Sequence, residues 1–251
     1  MDVLFYIYLA VGGAIIGSFL NVVIYRLPRK ESLVRPGSHC PHCGKPVRWY
    51  DNIPIISYTL LGGSCRQCGK PISLRYPFVE FLNGALYLAA GLKFGQEWAL
   101  LPALFFISVL IVIFFIDLDH YIIPNVIVLP AAAIGLAAML AIEPDRWLEL
   151  TLAGVISAAF FFIIVMVMPR GMGMGDVKLV LMMGFFLGKP VLVALFVGFL
   201  TGALTGVTLM LAGVKGRKSQ IPFGPFLAIG ALIALFYGSW IIDKYTGTFG
   251  V

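Results

Sequence analysis

The stretch Gly171-Met172-Gly173-Met174-Gly175-Asp176-Val177-Lys178 sets one carboxylate in a glycine-rich hinge between two long apolar segments. A carboxylate at a membrane edge loses solvation, so such acids face a polar cavity or a partner and are functional hypotheses by default. The best-placed partner is Asp117, in Phe115-Ile116-Asp117-Leu118-Asp119-His120, which ends another apolar run. Amide hydrolysis by two carboxylates needs one ionised, to take a proton from water, and one protonated, to donate to the carbonyl oxygen. Like charges held close favour that one-proton form. Two aspartates at matching membrane depth therefore suggest an aspartyl protease with Asp117 and Asp176 as its pair. Gly173 and Gly175 would let backbone approach an extended substrate. Lys178 either favours the ionised form of Asp176 or marks the membrane interface. Asp119 either supports the pair or, with His120, caps the following helix, since Asp favours N-caps.

A second chemistry lies in Cys40-Pro41-His42-Cys43-Gly44 and Cys65-Arg66-Gln67-Cys68-Gly69, two CxxC knuckles separated by twenty-one residues. Four thiolates at this spacing can grip one tetrahedral Zn²⁺, with the glycine after each knuckle permitting the tight turn. Cys40, Cys43, Cys65 and Cys68 leave no vacancy for His39 or His42, and a closed four-ligand site is structural rather than catalytic. A disulfide reading fits poorly with a loop in a reducing compartment.

The elements that must position these groups are membrane helices. The chain is 60% hydrophobic and 12% charged, with a mean hydropathy of +0.97, far from a soluble domain. Seven apolar runs approach the length of a bilayer crossing: Val3–Tyr25, Phe78–Phe94, Trp98–Ile116, Ile122–Ile142, Leu150–Met168, Val191–Val214 and Phe223–Ile242. An eighth, Val177–Leu187, is short. The fold expected is an all-α polytopic membrane protein of about eight helices. Its parts are a first helix over 1–25, a zinc-binding loop over 26–77 and a seven-helix membrane domain over 78–251.

Between Arg26 and Arg75 lie nine Lys or Arg against two acids, which places this loop in the cytoplasm and the N-terminus outside. Counted over eight crossings, fourteen basic residues fall inside, among them Arg170 and the cluster Lys215, Arg217 and Lys218, against four outside. Both aspartates then face the cytoplasm. The net charge of +6 is thus mostly topological and would attract anionic headgroups. It gives no reason to expect a nucleic acid partner.

Within this frame Gly13 and Gly17 form a small-residue pair suited to close helix approach. Asn21 reaches either backbone or the polar site. Glu80, inside the register of the second span, either pairs with Arg75 or Arg26 or binds a cationic ligand. A loop of about fifty residues has too little core to fold unaided, and metal would supply the missing free energy. Its middle, Trp49 to Gly63, is apolar but interrupted by Pro and Gly, as in a segment lying on the membrane or the bundle.

Taken together these residues resemble the bacterial type IV prepilin peptidases. The resemblance is carried by the GxGD pattern at 173–176, Gly17-Ser18-Phe19-Leu20-Asn21, both cysteine pairs, Asn52-Ile53-Pro54, Arg75-Tyr76-Pro77, Asp117-Leu118-Asp119-His120 and Ile221–Pro225. It implies a multi-pass enzyme of the inner membrane acting on type IV prepilins and pseudopilins of pilus and type II secretion systems. Such an enzyme cuts the basic leader after Gly at the cytoplasmic face, using Asp117 and Asp176. It then methylates the new N-terminal residue, usually Phe, with S-adenosylmethionine. No GxGxxG fingerprint accompanies that second activity. Gly62, Gly63, Arg75 and Glu80 are the candidates for the methyl-donor site. Two other readings stay open on the residues alone: a peptidase without methyl transfer, and a proton- or cation-coupled transporter with a regulatory zinc loop.

Overall fold

Long apolar runs with sparse charge leave the backbone only one way to satisfy its hydrogen bonds in lipid, and the chain is accordingly helical almost throughout. In a computed structural model, which describes residues 3–168, 172–213 and 221–249, the helices are α1 (Val3–Arg26), α2 (Ile56–Leu60), α3 (Arg75–Phe94), α4 (Leu100–His120), α5 (Asn125–Ile142), α6 (Trp147–Val167), α7 (Met174–Leu187), α8 (Val191–Leu211) and α9 (Gly224–Phe249). Gly171, Arg170 and the basic cluster at 215–218 lie outside the described residues.

Among the described residues six helices, α1, α4, α5, α6, α8 and α9, are long and apolar enough to cross a membrane. The two others in the expected eight differ for visible reasons. The 20-residue α3 carries Arg75, Glu80 and Lys93. The 14 residues of α7 span only about 21 Å against a hydrocarbon core of about 30 Å. Helix α7 nonetheless starts three residues before the expected Val177, so Asp176 lies in its first turn rather than in the preceding loop.

Two compact units divide the chain at Leu100/Leu101. In the first, α1 packs along α3 with the loop between them, so α3 groups with α1 and the cysteines. Their contact is glycine-mediated: a Cβ on Gly13 would lie 2.8 Å from the Gly84 Cα, and one on Gly17 2.7 Å from the Glu80 Cα. Two amides stitch the seam. Asn83 donates to the Gly13 carbonyl at 2.7 Å, and Asn21 donates to the Tyr76 carbonyl at 3.0 Å. Asn21 is therefore a backbone tie between the helices.

The second unit holds α5 to α9 and nearly all of α4. Small residues again let backbones meet, as expected where lipid supplies no hydrophobic drive between helices: a Cβ on Gly184 would lie 2.3 Å from the Gly154 Cα, and one on Gly230 2.1 Å from the Ala194 carbonyl oxygen. Phe106 of α4 stacks on Phe186 of α7 at 4.5 Å between centroids, while Phe161, Phe199, Phe223 and Phe226 form a second aromatic cluster. At one end Arg146 binds Glu143 and Glu149, and Glu149 also accepts the Lys189 backbone N–H at 3.0 Å. That ties the α5–α6 turn to the α7–α8 turn.

Candidate functional site

In the N-terminal unit the two knuckles fold alike. Cys40 N–H donates to the Lys45 carbonyl and Gly44 N–H to Cys40; Cys65 N–H donates to Lys70 and Gly69 N–H to Cys65. Gly44 and Gly69 take φ of +68° and +67°, the left-handed region that glycine enters without penalty. The four sulfurs lie within 4.8 Å of one another, and Cys40 Sγ to Cys68 Sγ is 3.8 Å. Zinc–sulfur bonds of about 2.3 Å in a tetrahedron put sulfurs about 3.8 Å apart, so the cage fits Zn²⁺. Backbone N–H groups of Cys68 and Gln67 directed at Cys65 pull its thiol down, towards the thiolate a metal needs, while desolvation and the neighbouring thiols push Cys68 up. Across the knuckles Arg66 grips Asp51 with both Nε and Nη2, and this holds the Asp51 carboxyl below its ordinary value.

The four candidates for the methyl-donor site have separate duties. Gly62 and Gly63, with φ of +57° and +67°, make the turn from α2 into the second knuckle, where Gly63 accepts the Ile72 N–H at 2.7 Å. Arg75 opens α3. Glu80, only 8% exposed, accepts the Ile55 N–H at 2.8 Å and a hydrogen bond from the Ser18 side chain. The expected pairing with Arg26 is not formed, because that guanidinium donates to the carbonyls of Ser32, Pro36 and Gly37. Ile55 itself has φ 62° and ψ −49°, with Ile56 N–H donating back to Pro54. This is a γ-turn of the rare, strained hand, on a β-branched residue that ordinarily avoids it. Sequence reasoning missed it, since Ile carries no signal for positive φ.

In the C-terminal unit Asp117 lies in the last turn of α4 and Asp176 in the first turn of α7, exposed by only 5% and 7%. They are close enough that the Asp117 charge acts on Asp176. Each carboxylate is held by a glycine N–H. Gly173 donates to Asp176 Oδ2 at 3.0 Å while the Asp176 N–H returns to the Gly173 carbonyl, a reciprocal cap at the start of α7. Gly224, first residue of α9, donates to Asp117 Oδ2 at 2.9 Å. There is no room for a side chain at that point: a Cβ on Gly224 would lie 2.7 Å from the same oxygen. In the sequence Gly224 belongs to the Ile221–Pro225 motif at the start of the last span, with nothing there to show that it meets Asp117.

The remaining candidates lie beside the pair. Gly175 packs under Ile123, whose Cβ would be 2.9 Å from an added Cβ. Lys178 donates to Asn125 Oδ1 at 2.8 Å, which ties α7 to the start of α5. Asp119 belongs to the last turn of α4 with an exposed side chain. It does not cap the next helix: the N-cap of α5 is Pro124. Tyr121, with φ 57°, ends α4 by donating its N–H to the Asp117 carbonyl at 2.9 Å, so the helix stops one turn after Asp117.

Against known proteins, residues 11–94 match the bacterial peptidase A24 N-terminal domain and residues 104–207 match the type IV leader peptidase family. The chain is 39% identical over 274 residues to a prepilin leader peptidase/N-methyltransferase of Legionella pneumophila, covering 96% of this chain and 95% of the relative. It is 36% identical over 234 residues to the Bacillus subtilis protein of the same name, covering 93% and 94%. A Myxococcus xanthus relative, again so named, is 40% identical over 224 residues, covering 86% and 67%. No solved structure matches the chain.

Proposed function

Because the chain belongs to the type IV leader peptidase family, we propose that it is a membrane aspartyl endopeptidase that removes the leader of type IV prepilins and pseudopilins and then N-methylates the exposed residue. The observation that carries the peptidase half is two buried carboxylates, each fixed by a glycine N–H, with the Asp117 charge felt at Asp176. One of Asp117 and Asp176, ionised, takes a proton from water; the other, protonated, donates to the scissile carbonyl oxygen. Gly173 holds Asp176 through its N–H, Gly175 lets Ile123 pack against the start of α7, and Lys178 ties that start to Asn125. Asp119 is a supporting residue at most.

The methyl-transfer half rests on the relatives' names and on the N-terminal match. S-adenosylmethionine would be the methyl donor. Zinc, held by Cys40, Cys43, Cys65 and Cys68, would lock the loop between α1 and α3. The excess of basic residues between Arg26 and Arg75 supports an N-terminus outside, with loop and carboxylates facing the cytoplasm. A transporter reading gains nothing from these relatives.

The test is a reconstituted assay with a prepilin bearing a Gly–Phe junction and S-adenosylmethionine, read by intact-mass spectrometry. Wild type should lose the leader and gain one methyl group, and Asp117→Asn and Asp176→Asn should leave the precursor intact. Cleavage persisting in either variant would sink that residue's assignment; cleavage without methylation would leave a peptidase only.

A further inference from the structure

The N-terminal unit contains a cavity of about 480 Å³ that neither the zinc cage nor the helix seam explains. One side is lined by Ser18, Phe19 and Val22 of α1 and another by the turn Asn52-Ile53-Pro54. Pro36, Gly37 and Ser38 line a third side, and Arg26 also borders the space. Pockets for small ligands run from about 300 to 1,000 Å³. The space therefore admits a nucleoside with an amino-acid tail.

Each wall is held by a partly buried polar contact. The strained γ-turn at Ile55 adjoins Pro54 and persists because the Glu80 carboxylate accepts its N–H. Ser57 accepts the Ile53 N–H at 3.1 Å and donates to the Tyr50 carbonyl at 2.7 Å. Arg26 fixes the third side through the carbonyls of Pro36 and Gly37. Ser18, on α1, is bonded to the same Glu80. Backbone strain that surrounding structure over-determines in this way marks functional sites.

We propose that this cavity is the methyl-donor site, binding S-adenosylmethionine between α1 and the Asn52–Pro54 turn; the assignment rests on the methyl-transfer reading above. Phe19, Val22 and Ile53 offer apolar surface to the purine. Ser18 and Asn52 offer hydrogen-bonding groups, and Arg26 provides the positive counter-charge for the donor's carboxylate. Glu80 enters as a positioning residue acting through Ile55, whereas Gly62, Gly63 and Arg75 are absent from the lining.

The experiment uses the full chain in nanodiscs with two readouts. Isothermal titration with S-adenosylhomocysteine should show binding to wild type, at least tenfold weakening in Val22→Trp, which fills the space, and affinity within twofold of wild type in Arg75→Ala. Leader cleavage by Val22→Trp should persist, which shows that the variant folds. Photolabelling of wild type with an 8-azido analogue of S-adenosylmethionine, mapped by peptide mass, does not depend on any variant folding. The label should fall within residues 15–26, 33–38 or 52–54. Label at 62–75 or beyond residue 100, undiminished binding in Val22→Trp, or weakened binding in Arg75→Ala would overturn the site while leaving methyl transfer standing. A wild type that binds no homocysteine analogue and transfers no methyl group would overturn the methyl-transfer reading and the site with it.

Discussion

Gly224→Ala is the sharpest test of how the carboxylate pair is built. The added Cβ would sit 2.7 Å from Asp117 Oδ2, whereas a carbon and an oxygen rest about 3.3 Å apart, so the carboxylate must retreat by about 0.6 Å. It would also weaken or lose the Gly224 N–H bond. The backbone cannot easily yield instead, because Phe223 is wedged against Phe161, Phe199 and Phe226. A displacement of about 1 Å in a catalytic group costs on the order of 10²-fold. A fall of about 10- to 100-fold in kcat is therefore expected, or about 1.4–2.7 kcal/mol on the barrier, with KM little changed because substrate-binding surface is untouched. The assay is leader cleavage with kcat and KM separated, alongside thermal melting of the purified protein. Gly230→Ala is the control: its Cβ meets the Ala194 carbonyl oxygen at 2.1 Å and neither carboxylate, and it should lower the melting temperature through the α8–α9 contact. A folded Gly224→Ala with kcat within about twofold of wild type would refute the reasoning, as would a melting loss equal to that of Gly230→Ala.

Glu80→Ala should leave the Ile55 N–H unpaired, at about 1–3 kcal/mol, and free the turn to relax. Ile55→Gly should remove about 1–3 kcal/mol of strain, so thermal melting of the two singles and the double should show clear non-additivity; strictly additive shifts would mean Glu80 does not hold the turn. Stripping zinc with a mercurial should expose residues 29–74 to protease and to amide exchange, because Cys40 and Ser57 are the only buried side chains in that stretch. Protection of the α1–α3 seam should survive; a loop equally protected without metal would refute the structural role. As pH falls from 7 to 5, zinc loss should follow protonation of the thiolates. The Asp51–Arg66 pair should stay intact there: with its folded pKa depressed, Asp51 contributes above its unfolded value of about 3.9 and loses that contribution only as pH falls through the lower folded value. Arg66→Ala should therefore shift the release curve equally at pH 5 and pH 7. Gly17→Val should drive α1 from α3, its Cβ lying 2.7 Å from the Glu80 Cα, and lower the melting temperature by several degrees, at about 2–4 °C per kcal/mol.

Some of this protein is written in the sequence alone. Apolar run length dictates helices, because a backbone in lipid has no other way to pair its polar groups. Two CxxC knuckles followed by glycine specify a four-sulfur cage, because both the metal geometry and the left-handed turn are local. Asp117 and Asp176 are legible because an acid bordering an apolar run is costly wherever it goes. What the sequence leaves open is every contact made between distant segments. The start of α7 before Asp176 depends on a reciprocal cap with Gly173. The support of Asp117 comes from Gly224, 107 positions away, and glycine in a sequence does not say what approaches it. Glu80 reads either as one end of an ion pair or as a site for a cationic ligand; tertiary structure brings the Ile55 N–H to it and carries Arg26 off to the loop carbonyls. Asp119 reads either as a helix cap or as a support for the pair, and the cap reading ends where α4 is seen to run through it to His120. Local rules fix which groups are present and what chemistry they can do; packing decides which of them touch.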